Sequence, residues 1–163
     1  MKKIMWLSIA CSVVLLDQLT KYWAFHSLSP YEPMPIFPMI NMTLAFNTGA
    51  AFSFLSGVGS WHRWLFPMFS LLMSLGLFIW LIKLPKNSNL QGFALAFILG
   101  GAVGNLIDRA FWGYVVDFID VYYKNNHWPD FNLADSAICF GAVLLFIHLA
   151  RHSEDVSSEE TSS

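Results

Sequence analysis

Charged residues are scarce in this chain, 12% of 163, where ordinary soluble domains carry about 25%. Lys and Arg number 9 against 11 Asp and Glu, for a net charge of −2. Without a basic excess there is no stripe to release counterions from phosphates, which excludes nucleic acid as the main partner. Cysteine is nearly absent. Cys11 and Cys139 stand alone inside apolar runs, with neither the paired spacing of a metal site nor the density of a disulfide framework, and both read as small core residues. There is no HExxH, no GxSxG and no Gly-x-Gly-Asp of the presenilin-like proteases, which removes zinc-peptidase, serine-hydrolase and that aspartyl chemistry. His26, His62, His127 and His148 lack the spacing of a metal cluster and read as interface or loop residues; His152 reads as a flank beside Arg151. No metal and no cofactor is expected, so activity should survive a chelator.

What is abundant is apolar: 56% hydrophobic residues and a mean hydropathy of +0.52 describe an integral membrane protein. A helix needs about 20 predominantly apolar residues to cross the hydrocarbon. Four stretches approach that, 4–25, 63–84, 92–111 and 133–150. An all-α bundle of four transmembrane helices follows, forming one membrane domain over 1–152. The N-terminal Leu7-Ser8-Ile9-Ala10-Cys11 resembles a lipobox only faintly, and the apolar run continues past Cys11, so the first span reads as an uncleaved anchor. Lys2, Lys3, Lys83, Lys86 and Arg151 fall on one side, and Lys21, Arg63, Arg109 and Lys124 on the other. Setting aside Lys21 and Arg109, which sit beside acids, the balance puts both termini in the cytoplasm. Trp23, Trp61, Trp64, Trp112 and Trp128 then gather at the outer interface. Residues 153–163 are almost wholly Ser, Thr, Glu and Asp and are expected to stay unfolded as a cytoplasmic tail.

Ile40, Met42, Leu44 and Phe46 alternate with Asn41, Thr43, Ala45 and Asn47, the period of a strand with one apolar and one polar face. A small β element over about 34–56 is therefore expected on the outer face, turning at Asn47-Thr48-Gly49 and able to grip an extended peptide.

Polar groups within spans cost about 2.5–3.5 kcal/mol each at a helix centre, so their grouping carries information. Asp17 and Lys21 end the first span; Asn105, Asp108 and Arg109 end the third; Asp117 follows it; Asn132 and Asp135 open the fourth. In an up-down-up-down bundle all of these share one side. Asn105, Asp108 and Arg109 lie at i, i+3 and i+4, on one helical face. Gly100 and Gly104 have the spacing that lets helices approach closely, which makes the third helix central. Asp17 and Lys21, also i and i+4, could simply neutralise each other. Asp117 sits in an apolar stretch, where burial raises a carboxyl pKa. Asn132 can cap the fourth helix with Asp135 three residues on, so Asp135 is either a capping acid or half of a dyad whose ionised partner it would be. Two carboxyls sharing one proton can hydrolyse a peptide without metal, with Asp135 as base and Asp117 as acid.

Five segments in order then carry a resemblance: Asp17-Gln18-Leu19-Thr20-Lys21, Asn47-Thr48-Gly49-Ala50-Ala51-Phe52-Ser53, Gly100 through Arg109, Val115-Val116-Asp117-Phe118-Ile119, and Phe131-Asn132-Leu133-Ala134-Asp135-Ser136. In these the chain resembles the lipoprotein signal peptidases (signal peptidase II). The resemblance implies a membrane aspartyl endopeptidase of the bacterial inner membrane, active at the periplasmic face. Its substrate would be a diacylglyceryl-modified prolipoprotein, cut just before the lipidated cysteine. It implies catalysis by Asp117 and Asp135, with Asp17, Lys21, Asn47, Asn105, Arg109 and Asn132 supporting or binding substrate. Asp108 and Asp120 receive no part. Beyond substrate and membrane lipid no partner is expected, and the chain should act as a monomer. The competing readings are a proton-coupled transporter and a noncatalytic scaffold. Acids gathered at one end of the spans, without repeated halves, disfavour the first, and a scaffold has no need of converging Asp and Asn.

Overall fold

A computed structural model describes residues 2–49, 62–85 and 88–160. Four helices carry most of it: α1 (Lys2–Ser27), α2 (His62–Lys83), α3 (Asn89–Phe111) and α4 (Leu133–Glu160). All four are long and apolar enough to cross a membrane, over Lys2–Ser27, Trp64–Lys83, Asn89–Phe111 and Leu133–Arg151. Their apolar side chains largely face outward. Leu15, Leu72, Phe69, Val143 and Phe146 are all more than half exposed, as expected when the solvent of the middle section is lipid. Cys11 and Cys139 are exposed too. They lie on the outward faces of their helices and are not core residues.

α3 packs against each of the other three helices, and the spacing of its small residues explains how. Gly92, Gly100 and Gly104 meet Trp6, Val13 and Asp17 of α1, while Gly101 meets the Ala134 carbonyl of α4. On α1 the complementary stripe is Trp6, Ala10, Val13, Asp17, Lys21 and Ala24, in steps of three and four along one face. The bundle is layered along its axis. An apolar cluster of Trp6, Ala10, Leu81, Leu84, Leu95, Ala96 and Leu99 fills one end. A second, made of Ala24, Leu28, Leu44, Val116 and Phe118, lies under the sheet at the other. Asp17, Lys21, Asn105 and Asp108 are buried between them.

The β element is larger than the alternation predicts. β1 (Met34–Phe37), β2 (Ile40–Asn47), β3 (Val115–Tyr123) and β4 (Asn126–His127) form one antiparallel sheet in that order. Its outer half comes from the segment after α3. β3 has no period-two pattern because its first four residues are all buried, yet its β-branched and aromatic content between Gly113 and Lys124 is a strand signal in itself. In β2 it is the polar face that turns inward at first: Asn41 and Thr43 are buried and Ile40 is exposed. The register then shifts between Met42 and Ala45, and within that shift Leu44 is buried. The inner face of the sheet here is a polar site, so Asn41 gains a partner, Asp120, at 2.8 Å.

Gly113 makes the turn from α3 into β3. Its φ of 79° is a conformation that costs glycine nothing, and its N–H donates to the Arg109 carbonyl at 3.1 Å. Asn47-Thr48-Gly49 turns as expected, the Gly49 N–H donating to Asn47 Oδ1 at 2.9 Å; residues 50–56 of the expected element, and Trp61, lie outside the described residues. α4 continues to Glu160, so 153–160 are helical and not the unfolded tail their composition predicts. Extending an existing helix needs no new nucleus, which is the costly step. Residues 161–163 are outside the described range.

Candidate active site

Two chain segments distant in sequence are pinned together beside the helix ends. Phe118 and Ile119 of β3 both donate to the Phe131 carbonyl, at 3.0 and 2.9 Å, and Phe131 N–H returns a bond to Ile119. This sets Asp117 next to the start of α4. There Asn132 and Asp135 cap the helix reciprocally, Asp135 N–H to Asn132 Oδ1 at 3.0 Å and Asn132 N–H to Asp135 Oδ2 at 3.2 Å, an N-terminal capping box with Asp in the acid position.

Asn132 also reaches the other acid. Its side-chain amide donates to Asp117 Oδ1 at 2.7 Å, and to Asn105 Oδ1 and the Val116 carbonyl, each at 3.2 Å. The second Asp117 oxygen accepts from Asn47 Nδ2 at 3.0 Å. Asp135 Oδ1 accepts from Asn105 Nδ2 at 2.8 Å. The two carboxyl groups therefore share a frame of three asparagines. Asp117 is 2% exposed, while Asp135 is half-buried. Burial pushes the Asp117 carboxyl up to about 7, opposed by the Asn47 bond, reinforced by the charge of Asp135 and opposed again by Asn132 and Lys21.

Beneath this frame Asp17 and Lys21, 0% and 3% exposed, form an ion pair at 2.9 Å. Lys21 also meets Asp108 Oδ2 at 2.9 Å and Asn105 Oδ1 at 2.9 Å. Both are therefore out of reach of solvent, beneath the asparagine frame. Arg109 is half-buried, and its guanidinium interacts electrostatically with Asp135, Asp117 and Asp108. It lines a cavity of about 330 Å³ with Asn47, Thr48, Phe66, Pro67, Trp112, Gly113 and Tyr114. A larger cavity, about 580 Å³, lies between α1 and Trp112, Tyr114 and Val116. Neither is lined by Asp117 or Asp135; the smaller contains Asn47, which bonds Asp117, and the larger contains Val116, the residue before Asp117. Among the described residues no group of three His, Cys, Asp or Glu is placed to hold a metal ion.

Asp108 and Asp120, set aside on sequence, are both buried. Asp120 of β3 binds Asn41 of β2 and, at 2.8 Å, His127 Nδ1 of β4, which ties three strands of the sheet together. The packing of α3 bears on the site directly. A Cβ at Gly104 would lie 2.5 Å from Asp17 Oδ2, and Asp17 cannot retreat because Lys21 and the Ala134 N–H, at 3.0 Å, hold it. Gly104→Ala is expected to cost about 1–3 kcal/mol and to lower activity. Gly76→Ala, with open space around it, should leave both unchanged; thermal unfolding in detergent distinguishes them.

A family model described as signal peptidase (SPase) II matches residues 9–151. Lipoprotein signal peptidases are among the relatives. That of Hydrogenovibrio crunogenus is 48% identical over 158 residues, covering 94% of this chain and 92% of its own. That of Teredinibacter turnerae is 51% identical over 140 residues, covering 86% and 83%. A solved bacterial membrane enzyme, determined by the in meso method at 1.9 Å resolution, superposes with a TM-score of 0.78 at 32% identity, covering 89% of this chain and 92% of its own. A second, at 2.3 Å resolution, gives 0.79 at 31% identity, covering 93% and 90%.

Proposed function

The chain belongs to the signal peptidase II family, and on that footing we propose that Asp117 and Asp135 are the two carboxyl groups with which it cuts its substrate. It is a multi-pass bacterial membrane protein and an aspartic endopeptidase that removes signal peptides from lipoproteins. The observation that carries the assignment is Asn132, whose side chain and backbone touch one acid each.

The ionised carboxylate of Asp135 takes a proton from a water, which attacks the scissile carbonyl. Asp117, in its protonated form, hydrogen-bonds the carbonyl oxygen as it becomes an oxyanion and then passes its proton to the leaving amine. The pair ends with one proton, on Asp135, and exchange with solvent resets it. Asn105, Asn132 and Asn47 hold the carboxyls, and Arg109 contacts substrate carbonyls from the cavity beside Trp112 and Tyr114. Residues 1–152 act as one catalytic domain and as a monomer among membrane lipids. Both termini face the cytoplasm and the acids face the periplasm, at the inner membrane.

The test uses purified full-length protein and a diacylglyceryl-modified prolipoprotein in detergent. Mass spectrometry should find a product beginning at the lipidated cysteine, and chelator should leave the rate unchanged. Cleavage elsewhere, or equal cleavage of the unmodified precursor, contradicts the substrate assignment. The pH profile carries the acid assignment. An unfolded Asp loses its proton near 3.8 and the folded Asp117 near 7, so the protonated, active form predominates below about pH 7 and is lost as pH rises through it. kcat/KM should therefore fall along an alkaline limb centred near 7. Constant kcat/KM up to about pH 9 would remove Asp117 as the acid.

A further inference from the structure

Three buried charged side chains at the centre of the bundle make a pattern that the site residues alone do not require. Asp17 Oδ1 accepts from the N–H of Ala134 at 3.0 Å, the residue immediately before Asp135. Asp108 Oδ2 accepts from the N–H of Val116 at 3.1 Å, the residue immediately before Asp117. Lys21 Nζ lies between these two acids, 2.9 Å from Oδ2 of each, with Asn105 as its third partner. Gln18 Nε2 closes the far side, 2.9 Å from Asp108 Oδ1 and 3.2 Å from Asp17 Oδ2.

We propose that Asp108 is a positioning residue: with Asp17 and Lys21 it forms a yoke that fixes the separation of Asp117 and Asp135 by gripping the backbone just before each. The proposal rests on the catalytic reading of that pair. The resemblance gives Asp108 no part, and it is the neighbouring Arg109 that lines the cavity beside Asn47.

The geometry distinguishes the yoke from ordinary core stabilisation. β3 pairs with β2 on both sides of the register shift and with Phe131 beyond Asp117, so the strand stays in the sheet without Asp108. What Asp108 adds is a fixed height of β3 above the end of α3. A buried carboxylate held by Lys21 and Gln18 is a stiff anchor, and only an acceptor is needed to hold the Val116 N–H. Asparagine at 108 can keep its one oxygen for the Val116 N–H and Lys21 and leaves Asp17 and Lys21 as a neutral pair, its NH₂ then facing Gln18 Nε2, which must turn away; alanine removes the acceptor.

Four forms of the full-length enzyme test this: wild type, Asp108→Asn, Asp108→Ala, and a variant whose residue 116 is the α-hydroxy acid matching valine, which replaces the N–H by an ester oxygen. Asp108→Asn should stay within about threefold of wild type in kcat. Asp108→Ala should lose about 10–100-fold, since displacement of about 1 Å at a reacting group costs up to 10². The ester form should lose about tenfold or more with every side chain intact. In the impaired forms KM should stay within about twofold, because the residues placed to contact substrate are untouched. Wild-type kcat in the ester form overturns the proposal, as does a loss confined to KM, or a folded Asp108→Asn as slow as the ester form. Should Asp108→Ala not fold, the ester and Asn forms decide alone. Failure of the catalytic reading is separate, since it would appear as activity in the Asp117 or Asp135 variants, which this comparison does not use.

Discussion

Asp117→Asn and Asp135→Asn should each lower kcat by about 10³–10⁴-fold, toward the upper end of what a positioned acid or base contributes, while the protein stays folded. Both substitutions are nearly isosteric. In the Asp117→Asn variant the new side chain can keep one oxygen for Asn132 or Asn47 but must present its NH₂ to the other, and both neighbours now donate at 2.7 and 3.0 Å. One of the neighbouring amides must therefore flip. Relief of a buried carboxyl offsets part of that cost, and the unfolding temperature should change little. In the Asp135→Asn variant the remaining oxygen can still accept from Asn132 N–H or Asn105, so the cap survives in part. Loss of rate without loss of fold is the expected signature, read from single-turnover cleavage and from thermal unfolding in the same detergent. More than about a tenth of wild-type activity in either variant contradicts the assignment.

Asn132→Ala should have the second largest effect, on stability and rate together. This side chain is fully buried and serves as helix cap, as donor to Asp117 and as link to Asn105. Loss of the cap costs about 0.5–2 kcal/mol, and loss of a bond to a buried acid about 1.5–3 kcal/mol if it is ionised, less if protonated. A total of about 1–4 kcal/mol is expected, with kcat down about 10²-fold from misplaced carboxyls. Asn132→Ser separates the two roles. Serine caps a helix as well as asparagine does, but its short hydroxyl cannot also reach Asp117. Most of the stability should return while kcat stays low. Recovery of both together would mean that the Asn132–Asp117 bond contributes nothing to catalysis.

The parts of this structure that were legible in the sequence are those in which one local pattern has one physical cause. Long apolar runs can cross a bilayer only as helices, and the four runs became four helices. Gly100 and Gly104 permit close approach, and α1 lies against both. An acid in apolar surroundings costs free energy unless partnered, which singles out Asp117, while Asp135 three residues after Asn132 is a capping pattern, and the cap is what the structure shows there. The rest depended on contacts between distant segments. β3 carries no alternation because its early residues are buried on both faces. Asn41 turns inward because its partner comes from elsewhere in the fold, Asp120 being 79 residues away from it. Asp108 could not be distinguished from a surface acid, since its partners Gln18, Lys21 and Val116 come from another helix and from a strand. Cys11 and Cys139 show the converse error: in a membrane protein an apolar position faces lipid as readily as the interior.

Two carboxyl groups acting as one unit on one water are the core of this mechanism, and the double variant Asp117→Asn with Asp135→Asn measures that most directly. Residues that act together lose their effect together. Its kcat should lie within about threefold of the slower single variant. Losses that multiply, or a double variant faster than both singles, would mean that the two acids do not share the reaction.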